Sequence, residues 1–223
     1  VELFPLWNSL RISLIASVIT FFLGIFIANY VAKLPSFLKG VLDAVLTIPM
    51  VLPPTVVGFL ILKAISPRSN LGILVKEYFN ATLTMKWQAA IVAVVVVTFP
   101  LMYRTARSSF EAFDQNIIAA SKTLCLSNAY IFWKVLLPNC KEGILAGVVL
   151  AFARGLGEYG ATSMVAGYIS GRTATISTTV AYFWQTNQDE KAMQWVIINL
   201  AISFTVMLCV NIFEKRISFG KGK

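Results

Sequence analysis

The chain has 223 residues, of which 57% are hydrophobic and 13% charged, and its mean hydropathy is +0.75. A soluble domain carries about 25% charged residues, so the composition points to an all-α integral membrane protein with one domain over 1–223. The net charge of +9 does not indicate nucleic acid, because Lys and Arg sit near the ends of apolar runs rather than along one soluble face.

Histidine is absent, and Cys125, Cys140 and Cys209 stand far apart. Metal-ligand spacing and His-based catalysis are therefore unsupported. The cysteines are expected to be reduced.

About 20 mostly apolar residues are needed to cross a bilayer core. Five segments qualify: about 6–31, 41–65, 87–106, 143–166 and 194–213. The first is too long for a signal-peptide core, and no small-residue cleavage site closes it, so it is expected to be retained. Val1 opens the chain without Met, which leaves room for a few residues upstream. Arg11 lies near the outer end of this span, where a long side chain snorkels. A short basic link, Lys33 to Lys39, follows, with Pro35 as a helix stop.

The second span contains Pro49, Pro53 and Pro54, then Thr55 and Gly58. Proline removes a backbone donor and clashes with the preceding turn. Two readings fit: a kinked packing helix, or a broken helix lining a pathway, with its freed carbonyls satisfied by neighbours or water. Residues 66–85 read as a polar loop, and the sequon Asn80-Ala81-Thr82 in it carries little weight by itself.

Arg104 to Gly143 is too polar to span a bilayer. Within it, Ile117 to Tyr130 is expected to form a short helix, with Ile117, Ala120, Leu124 and Ala129 on one face. It reads either as a solvated connector or as a docking element on the cytoplasmic side, in a loop of about 107–142.

The fourth span carries Arg154 and Glu158 four residues apart, a spacing that puts them on one helix face in pairing range. Gly155, Gly157 and Gly160 surround them and let another backbone come close. Ionisable residues inside a membrane segment are costly and face a cavity or a partner. The pair serves either helix packing or the permeation path. Residues 168–193 form a polar connection in which Ile176 to Trp184 is expected to be a re-entrant or interfacial helix. The fifth span ends in Glu214-Lys215-Arg216 and a glycine-lysine tail expected to be disordered.

Placing the stretch from Arg104 to Gly143 in the cytoplasm puts eleven basic residues inside and six outside, which favours N-out and C-in. The chain has no GxxxxGK[ST] loop, so ATP is expected to be bound elsewhere.

Ala119-Ala120-Ser121-Lys122-Thr123-Leu124-Cys125, nine residues, and then Val135-Leu136-Leu137-Pro138 resemble the EAA loop of ABC importer permeases. Ala119 stands where that loop usually has Glu, and Cys125 where it has Gly. Phe152 to Thr162 is similar to the FARxLGEFGAT run of molybdate permease subunits. Leu52 to Gly58 resembles their LPPTVVG, and Thr173 to Thr178 their TxTIS.

The resemblance covers nearly the whole chain. It implies the type I ABC importer permease fold, a homodimer, two ATP-binding cassette subunits that bind ATP and Mg, and an external oxyanion-binding protein. No cofactor is expected in this chain, and its setting is a prokaryotic cell membrane. The resemblance implies an ATPase-coupling site at Ala119, Ala120, Ser121, Lys122, Leu124, Cys125, Leu137 and Pro138.

A translocation path or gate is expected at Pro53, Pro54, Thr55, Gly58, Arg154, Glu158, Gly160 and Thr162. The cargo expected is molybdate or tungstate. Sulfate permeases share an Arg-Ala-Leu-Gly-Glu-like run and supply the alternative. An ion-coupled secondary transporter fits less well, because no internal repeat is evident and Glu158 is the main intramembrane acid, with Asp43 near a helix start.

Overall fold

The computed structural model describes residues 3–79 and 84–219, with side chains described as far as 208 except at 71, 75, 76, 78 and 79. Asn80-Ala81-Thr82 and the last four residues of the tail lie outside the described residues. The secondary structure among the described residues is helical.

Among the described residues, three helices are long and apolar enough to cross a membrane alone: α1 (Phe4–Ala32), α5 (Trp87–Glu111) and the 189–208 part of α12 (Asp189–Phe219). Small residues explain the closest pairing. Ser9, Ser13, Ala16, Ser17, Thr20, Gly24 and Ala28 form the buried side of α1, and Ala89, Ala90, Ala93, Thr98 and Ala106 belong to the buried set of α5. Without a hydrophobic drive between helices in lipid, such residues bring backbones close. Gly24 faces Met102, and a Cβ there would fall 2.6 Å from Met102 Cγ.

The proline-rich second segment is broken, not merely kinked. α2 (Ser36–Val51) and α3 (Pro54–Ile65) meet at 107°. Leu52 and Pro53 are extended, with ψ of 144° and 135°. A residue before proline is driven out of the helical region, and here two successive residues precede prolines. Pro49 stays inside α2.

Several boundaries differ from the sequence expectation. Residues 66–85 are not simply a loop, because α4 (Asn70–Phe79) forms there; Ser69 Oγ accepts from the Gly72 amide at 2.9 Å and starts it. α5 continues to Glu111, past the expected end at 106, because Arg107 and Glu111 find partners on α2.

The helix expected over 117–130 is divided. α6 (Gln115–Thr123) ends at a turn, and a second run begins at Ser127, whose Oγ accepts from Tyr130 N–H at 3.2 Å. That run is α7 (Asn128–Tyr130), a π-helical segment Ile131–Leu136 and α8 (Leu137–Asn139). A proline ring displaces the turn before it, and the wide π turn directly precedes Pro138. Asn139 Nδ2 donates to the Val135 carbonyl at 2.7 Å. The chain then bends by 76° into α9 (Lys141–Leu156).

The fourth expected span is likewise broken. α9 stops at Leu156, and α10 (Gly160–Val165) follows after three residues. α11 (Ile176–Gln185) matches the helix expected over 176–184. Thr175 caps it, with reciprocal bonds between Thr175 and Thr178. The structure ties this connection to α1: Asn8 Nδ2 donates to Ala174 O, and Ser9 Oγ accepts from Ile176 N–H, each at 2.9 Å. The guanidinium of Arg11 covers the Trp87 ring at 3.7 Å instead of standing free.

Candidate functional site: a helix crossing and an exposed short helix

Two proline- and glycine-rich segments, a hundred residues apart in sequence, cross each other. α3 packs on α10 through positions without side chains. A Cβ on Gly58 would lie 2.7 Å from Ala161 Cα, and one on Gly160 would lie 2.9 Å from Pro54 Cβ and 3.1 Å from Thr55 N. Each glycine thus admits the other segment's backbone. Val57, Ile61, Ala161 and Val165 continue the contact into a core shared with Ile12, Ala16 and Val94.

Of the expected path residues, Gly58, Thr162 and Glu158 are buried, Pro54 and Gly160 are half-buried, and Pro53 and Thr55 are exposed at the start of α3. The structure therefore gathers Pro53, Pro54, Thr55, Gly58, Glu158, Gly160 and Thr162 around one crossing.

Arg154 and Glu158 do pair, at 2.7 Å, but across a helix break and not along a face. Glu158 Oε1 accepts from Ala161 N–H at 2.9 Å, and the Glu158 amide donates to Gly155 O at 3.2 Å. One carboxylate thus ties the last turn of α9 to the first of α10. Its side chain is 1% exposed, whereas that of Arg154 is 38% exposed. Glu158 Oε2 makes no aligned hydrogen bond, so the guanidinium is its ionic partner. A buried carboxylate needs such a partner.

The second assembly is α6. Asp114 caps it by accepting from Asn116 N–H at 2.8 Å. Ala119 is the fifth residue of the helix. A Glu there would lie beyond the first turn, where the dipole effect is concentrated, and Asp114 already supplies the terminal acid. Ala in place of Glu at 119 therefore forfeits little dipole interaction.

Cys125 follows the helix with φ of +57°. Its amide donates to Lys122 O at 2.9 Å, and the Leu126 amide donates to Ser121 O at 3.3 Å. This pair of bonds is a Schellman ending, whose left-handed residue is usually glycine. The glycine of the resembled loop is explained by this turn, and Cys125 adopts it against the steric preference of an L residue.

The sides of α6 divide clearly. Ile117, Ala119, Ala120, Leu124 and Cys125 are exposed, with Leu124 73% exposed. Ser121 is buried and donates to Ile117 O at 2.8 Å, so it supports the helix rather than its outer surface. Lys122 lines a cavity next to α1 and α5. Leu137 packs into the core with Phe132, Leu136 and Ile144, and Pro138 is exposed.

A polar cluster escaped the sequence reading. Arg107 pairs with Asp43 at 2.8 Å, Lys39 with Glu111 at 2.9 Å, and Arg107 approaches Glu111 at 3.8 Å. It fastens α2, which has no buried residue, to α5. The signals available were Asp43 in an apolar run and the i,i+4 pair Arg107–Glu111.

The model of binding-protein-dependent transport system inner membrane components matches residues 20–219. The chain is 32% identical over 207 residues to the putative molybdenum transport system permease protein YvgM of Bacillus subtilis, covering 93% of this chain and 91% of the relative. It is 37% identical over 172 residues to the molybdenum transport system permease protein ModB of Escherichia coli, covering 77% and 75%. The fold is shared with a bacterial ABC transporter involved in the import of the acidic polysaccharide alginate, at a TM-score of 0.78 and 14% identity, covering 96% of this chain and 79% of that one. The chain belongs to the binding-protein-dependent transport system inner membrane component family.

Proposed function

We propose that this chain is the membrane-spanning permease subunit of an ATP-driven importer that moves molybdate, or tungstate, into the cytoplasm. The observation that carries this reading is the α3–α10 crossing. Leu52–Gly58 and Phe152–Thr162, two runs that resemble molybdate permeases, pack on each other through Gly58 and Gly160. The relatives named as molybdenum permeases support the cargo.

Family membership makes the chain a transport component and not an enzyme. ATP and Mg then belong to a separate ATPase, two copies of which serve a homodimer of this chain. The exposed apolar side of α6 is their docking element, on the cytoplasmic side of an N-out, C-in bundle of five spans. An external binding protein delivers the anion. Closure of the ATPases draws the α6 elements together and opens the bundle outward; hydrolysis reverses it.

The break between α2 and α3 is a place where such a bundle can bend. Thr55, exposed at the start of α3, can offer a passing oxyanion a brief hydroxyl contact. Arg154 contributes positive potential, offset by Glu158.

The test is uptake of labelled molybdate by cells lacking their own molybdate permease, supplied with this chain and its neighbouring ATPase and binding protein. Uptake competed by tungstate and not by equimolar sulfate supports the reading. Uptake competed best by sulfate reassigns the cargo.

A further inference from the structure

A cavity of about 740 Å³ opens at the end of the bundle that carries α6. It lies among the C-terminal ends of α1 and α5, the start of α2, and α6 with the helical run after it. The cavity has two chemistries. Its inner wall is apolar, built from Phe110, Ile131, Phe132 and Leu136. Its rim carries three ammonium groups, Lys33, Lys39 and Lys122, against one carboxylate, Glu111.

Glu111 is engaged by Lys39 at 2.9 Å. Among the described residues neither Lys33 nor Lys122 pairs with a carboxylate. The rim is therefore left with two uncompensated positive charges facing a partly apolar hollow.

The surroundings give the depth of this cavity relative to lipid. Phe132 also belongs to an aromatic group: it stacks on Phe26 at 5.9 Å and meets Trp133 edge-on at 5.2 Å. Phe26, Tyr30 and Trp133 are exposed. Of these, Tyr30 and Trp133 carry a polar edge of the kind that marks the level of the headgroups, and basic pockets between helices at that level recruit anionic lipid headgroups. The volume falls within the range of about 300–1,000 Å³ typical of organic ligands and exceeds what a bare tetrahedral anion fills.

We infer that this cavity is a binding site for the phosphate of an anionic phospholipid, held between Lys33 and Lys122, with its acyl chains on the outward surface formed by Phe26, Tyr30 and Trp133. The ligand would rest against α6 and α1 together, and so would brace the coupling helix on the bundle. The site stands on the cavity and its charges, whatever the cargo.

The test uses the full chain, purified in mild detergent and equilibrated with phosphatidylglycerol or phosphatidylcholine, with retained lipid read by native mass spectrometry. Phosphatidylglycerol should be retained over phosphatidylcholine by roughly tenfold or more, as expected for two lysines near a lipid phosphate. The preference should fall part-way in Lys33→Gln and vanish in Lys33→Gln/Lys122→Gln. It should persist in Lys63→Gln/Lys191→Gln, whose lysines lie away from the cavity. Equal retention of the two lipids by the wild-type chain, or a preference that survives the Lys33/Lys122 double variant, overturns the assignment. A third arm adds inorganic phosphate or glycerol phosphate. Displacement of the lipid by millimolar amounts of either assigns the cavity to a soluble phosphate and overturns the lipid.

Discussion

Gly58 rests on the backbone of Ala161: a Cβ at Gly58 would stand 2.7 Å from Ala161 Cα. Backbone cannot move aside as a flexible side chain does, so this contact sets the distance between α3 and α10. Gly58→Val is expected to cost about 1–3 kcal/mol through overpacking. The thermal unfolding midpoint of the purified chain should fall, and transport should fall with it. Gly40, with open space around its Cβ position in α2, is the control. Gly40→Ala should stabilise the helix by roughly 0.5–1 kcal/mol. A Gly58→Val protein as stable as wild type would remove the crossing as a structural constraint.

The unequal exposure of Arg154 and Glu158 predicts unequal consequences. Removing the arginine strands a buried carboxylate, whereas removing the carboxylate's charge leaves a guanidinium that is partly wet. Arg154→Met should destabilise by about 3 kcal/mol, the range for a broken buried pair. Glu158→Gln should destabilise less, and the double variant should recover part of the loss. Denaturation of the four proteins in parallel checks this order, and equal effects of the two single changes would contradict it.

Cys125 occupies a left-handed turn that glycine would adopt without strain. Cys125→Gly is expected to stabilise the chain by about 1 kcal/mol, since the left-handed form costs an L residue roughly 1–2 kcal/mol. Because the turn is exposed, the gain should be visible as slower proteolysis between Leu124 and Ser127. Unchanged or faster cleavage would show that the turn relaxes without cost.

Cys125 and Cys140 differ in access. Cys125 is exposed, whereas Cys140 is buried and its Sγ donates to Ser109 O at 3.3 Å. Burial pushes the Cys140 thiol up from its ordinary range, so its reactive thiolate forms at a higher pH. In a Cys209→Ser background, maleimide at neutral pH should modify Cys125 and spare Cys140. Raising the pH should accelerate reaction at Cys140 only where unfolding has exposed it. Bound ATPase should protect Cys125.

Leu124 and Ala120 project from the outer side of α6. Leu124→Asp or Ala120→Asp should abolish co-purification with the ATPase while leaving the yield of the permease unchanged. Retention of the ATPase by both variants would move the docking surface elsewhere.

Much of the architecture is legible in the residues, because lipid imposes simple demands. Apolar length predicted α1, α5 and α12, while the prolines of the second span allowed either a kink or a break, and the structure shows the break between α2 and α3. The helix expected over 176–184 matches α11. Helix ends were harder to read. α5 outruns its expected end because Arg107 and Glu111 are satisfied by Asp43 and Lys39, residues more than sixty positions away. A local pattern holds no record of such partners.

Membrane class, helical content, family likeness and the pairing of Arg154 with Glu158 are readable from the residues alone. Those features follow from hydropathy, proline sterics and charge at short spacing, all of which act within a few residues. The folded chain reveals that this pair bridges a break, that Gly58 and Gly160 face each other's segments, and that Cys125 is left-handed. It also reveals that Lys33 and Lys122 share one cavity. The glycine crossing and the shared cavity join segments distant in sequence, so the packing of the whole bundle sets them. The break before Glu158 and the left-handed turn at Cys125 are local backbone paths, which hydropathy and charge spacing do not encode.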